Sequence, residues 1–134
     1  MTNQETMAVY AAALTKELGV EHRMCAEGDG AMIEIDGWIY VEQGSITLQH
    51  CSVLGTKVED VPGFIVSAIT VTPGCFDYPD DADVSEVGQY RVMTDALIAA
   101  YMIALKNRAD QVVESAGNAL YFSDMASGRN VESV

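Results

Sequence analysis

The hydrophobic period changes once, near residue 20, and that change limits the folds open to this chain. Before it, Met7, Tyr10 or Ala11, Leu14 and Leu18 follow the i, i+3/4, i+7, i+11 spacing of one apolar stripe on a helix. Asn3 or Thr2 can cap that helix, Gly19 closes it, and alanines at 8, 11, 12 and 13 favour it. Beyond it, residues 20–72 are rich in Ile, Val, Thr and Tyr. They are punctuated by Gly28-Asp29-Gly30, Asp36-Gly37 and Gly44-Ser45, a pattern of antiparallel strands.

The clearest alternation lies in residues 31–42 (AMIEIDGWIYVE), where Ile33, Ile35, Ile39 and Val41 fall on one face. Glu34, Asp36, Trp38, Tyr40 and Glu42 fall on the other, so one face is core and the other is acidic and aromatic. Asp36-Gly37 leaves two geometries open, a continuous strand or a two-residue hairpin turn. The placement of Trp38 and Tyr40 depends on which is adopted, and at least one of the two is expected in the core. Residues 45–54 (SITLQHCSVL) and 64–72 (FIVSAITVT) read as further strands, the latter bracketed by Pro62-Gly63 and Pro73-Gly74.

Residues 74–86 (GCFDYPDDADVSE) read as an acidic loop, with Asp83-x-x-Glu86 as a capping box for a long helix. That helix is expected from Val84 to about Ala116, with Gly117-Asn118 as its stop. Its middle, residues 96–105 (ALIAAYMIAL), is apolar on every side, which implies burial by more than one sheet face. The fold class is therefore α+β: one two-layer domain over residues 1–124, ordered α-β-β-β(-β)-α. A mainly antiparallel sheet carries the N-terminal and long C-terminal helices on one face, and residues 125–134 form a flexible tail. The longest apolar run has ten residues, about half of a membrane span, and the N-terminus lacks a basic start, so a cytoplasmic location is expected.

Charge is distributed unevenly. The chain of 134 residues carries 20 acids, 7 bases and a formal charge of −13, and 49% of its residues are hydrophobic, too many for intrinsic disorder. Between Arg23 and Arg91 there are twelve acids and one base, Lys57. Such a field attracts basic partners and repels nucleic acid. The expected partner-binding residues are Glu34, Asp36, Trp38, Tyr40, Glu42, Asp77, Asp80, Asp81, Asp83 and Glu86. Solubility alone is the plainer account of the same charge.

Catalytic and cofactor signals are weak. Taking Asp81 as the first position of a calcium loop puts Glu86 where Gly belongs and Val92 where Glu belongs, so no metal is assigned. Cys25, Cys51 and Cys75 show no ligand spacing and read as reduced structural thiols. His50 beside Cys51 and His22 before Cys25 point to opposite faces of any strand they share; a dyad of His22 with Cys51 would need a particular cross-strand register. Phosphate-loop, dinucleotide, nucleophile-elbow and zinc-protease motifs do not occur, and no catalytic residue or cofactor is expected.

Residues 18–55 resemble the helix-to-three-strand opening of the small acidic chaperones of bacterial secretion systems. The shared features are an apolar N-terminal helix, the turn Ile35-Asp36-Gly37 and Leu54-Gly55 after the third strand. The resemblance covers less than a third of the chain, and residues 64–72 read as strand where that family places a helix. In general character the chain is also similar to bacteriophage accessory proteins that block host nucleic-acid enzymes. No family is assigned on these grounds. The first expectation is a non-enzymatic acidic protein that engages a basic protein surface, as an inhibitor mimicking nucleic acid would. The second is a small acidic dimeric chaperone or assembly protein using hydrophobic contacts, with residues 96–105 sealing a homodimer. Neither binds nucleic acid directly or enters a membrane.

Overall fold

The computed structural model describes residues 1–25, 30–70 and 83–126. Helix α1 (Asn3–Leu18) is followed by β1 (His22–Cys25), β2 (Met32–Ile35), β3 (Ile39–Ser52), β4 (Gly55–Thr70) and β5 (Asp83–Tyr90), and then by helix α2 (Met93–Ala126). The strands form one five-stranded antiparallel meander in the order β1-β2-β3-β4-β5. This is the expected α+β order, with α1 and residues 93–104 of α2 contributing to the core on one side of the sheet. Packing divides the chain into Met1–Ala104 and Leu105–Val134.

Helix α1 begins where the Thr2 hydroxyl accepts the Glu5 backbone N–H at 3.1 Å. It stops at Gly19, whose φ of 70° is left-handed and whose N–H reaches the Thr15 carbonyl at 2.9 Å. Met7 and Ala11 of its stripe are buried. They meet the inner sheet face of Ile33, Ile35, Ile39, Val41 and Val66, all fully buried. From α2, Ala96, Leu97, Ala100, Tyr101 and Ala104 complete the core. Within residues 96–105, Ile98 and Met102 are 48% and 45% exposed, so the outer side of this stretch is not covered within one chain.

The two geometries at Asp36-Gly37 resolve as a hairpin. Asp36 and Gly37 both have positive φ, 58° and 81°, and the Trp38 N–H returns to the Ile35 carbonyl. Ile35 pairs with Ile39 across three intervening residues, an odd number, so alternation carries through the turn with its faces unchanged.

Three expected boundaries are corrected. Residues from Val84 to Tyr90 do not open a helix, and Asp83-x-x-Glu86 is not a capping box, because these residues pair with β4 from Thr70 to Phe64. Edge hydrogen bonding satisfies their backbone, and Gly88 weakens any competing helix. Gly117-Asn118 does not end α2, which continues to Ala126. Pro62-Gly63 does not bound a strand but lies inside β4, opposite Ser45 and Gly44. A proline without an N–H is tolerated there because the pairing of β5 with β4 starts only at Phe64. Gly63 is required by crowding: a Cβ there would stand 2.6 Å from the Ile46 side chain and 2.8 Å from the Tyr90 carbonyl.

Candidate functional site: the open face of the sheet

Opposite the helices, the register lines up Arg23, Glu34, Tyr40, Ser67 and Glu86, one from each strand, in a row across the sheet. A second row holds Cys25, Met32, Glu42, Ile65 and Gln89. Parity assigns both rows to the face away from the core. A bulge at Val66/Ser67 lets Glu86 and Gln89, three residues apart, share that face. The Gln89 amide nitrogen donates to Glu86 at 2.6 Å, while its oxygen accepts the Thr47 N–H at 3.0 Å.

Glu34 is the hub of the first row. Its Oε2 accepts from the Arg23 guanidinium at 2.8 Å and from the Tyr40 hydroxyl at 2.9 Å. The Arg23 hydrogen bond holds the Glu34 carboxyl below the usual glutamate range. The same carboxylate, as acceptor, raises the Tyr40 phenol. Arg23 is itself raised by Glu34 but is largely exposed, so this pair contributes little net stability. Its effect is to keep Glu34 ionised and fixed.

The remaining expected residues fall as follows. Glu42 is exposed in the second row. Trp38 is half-buried in the turn, where its Nε1 donates to Asp36 Oδ2 at 3.3 Å, and its carbonyl accepts the Ile69 N–H. Neither Trp38 nor Tyr40 enters the core, which corrects that expectation: both are half-buried, because the hairpin preserved the alternation. Asp83 pairs with Thr70 at the far end of β5. Asp77, Asp80 and Asp81 lie outside the described residues. The face thus gathers Glu34, Tyr40, Glu42 and Glu86, with Asp36 and Trp38 in the β2–β3 turn. A depression of about 440 Å³ lined by Glu21, His22, Arg23, Glu34, Asp36 and Gly37 marks one side.

Sequence reasoning missed Arg23, which only the register with Glu34 reveals. It also missed a polar chain on the helix side, where His22 Nδ1 lies 2.6 Å from the Thr15 hydroxyl. Thr15 is 2.8 Å from the Tyr101 hydroxyl, which donates to the Ala11 carbonyl at 3.0 Å. The proposed dyad of His22 with Cys51 does not form, since His22 pairs with Ile35 and Cys51 with Thr56. Cys25 and Cys51 are free thiols, Cys51 exposed. Among the described residues no cluster of His, Cys, Asp or Glu is arranged to hold a metal ion, and no helix is long and apolar enough to cross a membrane. Comparison of the chain with protein families, curated proteins and solved structures finds no match.

Proposed function

We propose that this protein is a non-enzymatic, cytoplasmic binding module whose open sheet face engages a basic surface on a protein partner. The row Arg23–Glu34–Tyr40–Ser67–Glu86 supports this reading most directly. It sets carboxylates beside the half-buried Tyr40, with half-buried Met32 and Ile65 in the next row, on the sheet face opposite the core. Rigid aromatics supply contact area at low entropic cost, and carboxylates steer a basic partner into register. Arg23 compensates Glu34, so Glu42 and Glu86 carry the unneutralised charge of the described face. Occupation of a nucleic-acid enzyme's phosphate site is the inhibitory form of the same chemistry.

A second reading, an assembly or chaperone role through hydrophobic contacts, is favoured by the exposure of Val112, Val113, Leu120, Tyr121 and Phe122 on α2. One experiment separates the two. The tagged protein and its Glu42→Lys/Glu86→Lys variant are recovered from nuclease-treated host lysate at about 0.15 M and about 1 M salt. The electrostatic reading expects a basic protein held at low salt, released at high salt and lost in the variant. The same partner, held equally at both salt concentrations and by both proteins, overturns it.

A further inference from the structure

At the turn end of the β1–β2 pairing, the register sets two cross-strand pairs next to each other. Arg23 lies opposite Glu34, and their side chains meet at 2.8 Å. Two residues along the same register, the Asp36 N–H donates to the Glu21 carbonyl at 2.9 Å, which puts Glu21 opposite Asp36. All four residues line the depression of about 440 Å³ beside β1 and β2. One pair joins a cation to a carboxylate; the other sets carboxylate against carboxylate, an apposition that destabilises a sheet.

The lining as a whole is acidic. Glu21, Glu34 and Asp36 face one permanent cation, Arg23, whose guanidinium is already bound to Glu34. His22 turns Nδ1 to Thr15 on the helix side, and Gly37 adds no side chain. With a neutral imidazole, three carboxylates against one guanidinium leave a net charge of −2. Lys16 and Glu17, which follow Thr15 on α1, offset one another. Glu34 also has acceptor capacity to spare. Its Oε2 takes both the Arg23 and the Tyr40 hydrogen bonds, and Oε1 accepts none among the described residues, although the side chain is only 16% exposed.

This chemistry selects the occupant. The acceptors are spread over the ends of two strands and a turn, and the strongest donor among them is committed. A guanidinium is planar, carries five N–H donors and bridges carboxylates in a bidentate fork, whereas an ammonium is a compact, more strongly hydrated point charge. The volume lies within the range of small-ligand pockets, roughly 300–1,000 Å³, so a side-chain head group has room.

We propose that this depression anchors one arginine side chain of the protein partner, its guanidinium lying between the Glu21 and Asp36 carboxylates and continuing the charge alternation of Arg23 and Glu34. The proposal rests on the reading of the open face as a site for a basic protein surface and names the group that surface must present. Glu42 and Glu86 steer the partner; Glu21 and Asp36 hold it.

The test needs no partner protein. N-acetyl-arginine amide is titrated into the intact protein at about 0.15 M salt and about pH 7.5, where an imidazole is mostly neutral, and backbone amide shifts are followed by NMR. Saturable shifts at residues 21–23 and 34–37 are expected, with a dissociation constant of about 1–10 mM. Glu21→Gln/Asp36→Asn keeps the size of both side chains and removes both charges. It should retain the fold by circular dichroism and bind the probe at least about fivefold more weakly. N-acetyl-lysine amide should bind the wild-type protein at least about fivefold more weakly than the arginine probe. No saturable shift at these residues up to about 100 mM arginine probe, equal binding by the variant, or equal binding of the lysine probe would overturn the assignment. Glu42→Lys/Glu86→Lys should leave arginine binding within about twofold. Failure of the open-face reading shows instead as a partner held equally at both salt concentrations by that variant, a result on which the arginine titration does not depend.

Discussion

The chain from His22 to Ala11 makes a prediction that reaches individual protons. The Ala11 carbonyl can only accept, so the single Tyr101 proton is committed to it at 3.0 Å. The Tyr101 oxygen must then accept from Thr15, which spends the only Thr15 proton across the 2.8 Å contact. The Thr15 oxygen is left to accept at 2.6 Å, and the donor has to be His22 Nδ1–H. The neutral imidazole is therefore held as the Nδ1–H tautomer. Thr15→Val removes two hydrogen bonds at almost constant volume while leaving Tyr101 its bond to Ala11. At about 0.5–1.5 kcal/mol per bond, partly recovered by water at half-buried His22, the loss is about 1–2 kcal/mol. With roughly 2.1 cal/mol/K of unfolding entropy per residue, this corresponds to a Tm about 4–7 °C lower. Tyr101→Phe removes the same Thr15–Tyr101 bond, so the double variant should cost about 1 kcal/mol less than the sum of the singles. Long-range proton–nitrogen NMR correlation above about pH 8, where an imidazole is neutral, reads the tautomer directly. Finding His22 protonated on Nε2 with Nδ1 bare in the wild-type protein, or finding the two substitutions additive, would refute the directed chain.

Three further outcomes follow from the same contacts. Glu34→Gln removes the charged acceptor of Tyr40, so the phenol should titrate closer to an ordinary tyrosine, measured from its Cζ shift. Because folding lowers the Glu34 pKa, the unfolded chain binds the proton more readily. Its contribution is present above the ordinary glutamate range and lost as pH falls through the folded value, so the acid-side fall in Tm should be shallower in Arg23→Ala. Gly63→Ala places a Cβ 2.8 Å from the Tyr90 carbonyl, which cannot swing aside as a side chain can; destabilisation of about 1–3 kcal/mol in urea unfolding is expected.

Features governed by near neighbours were legible in the chain. Thr2 and Gly19 delimit α1 because a cap and a left-handed stop act within one helical turn. Ile33, Ile35, Ile39 and Val41 share a buried face because alternation is a backbone property. Glu34, Tyr40, Glu42 and Glu86 were named from the same alternation and from charge. Arg23 was not, since nothing local marks which strand lies beside Glu34.

What the sequence by itself determined is periodicity: a helix, then strands with one apolar face, then a long apolar helix, together with a charge too uneven to ignore. What only the tertiary structure decided is pairing. Residues 83–90 satisfy a helical and an extended pattern alike, and the free edge of β4 selected the strand by accepting their backbone hydrogen bonds. Pro62 and Gly63 signal a break locally, yet β4 runs through them because β5 does not extend to Pro62 and Gly63 has no side chain to clash with Ile46 or Tyr90. The β3–β4 ribbon that carries Val53 and Leu54 into solvent exists because two strands outrun their neighbours. Strand length relative to a neighbour depends on contacts between residues far apart in the chain, which no local period encodes.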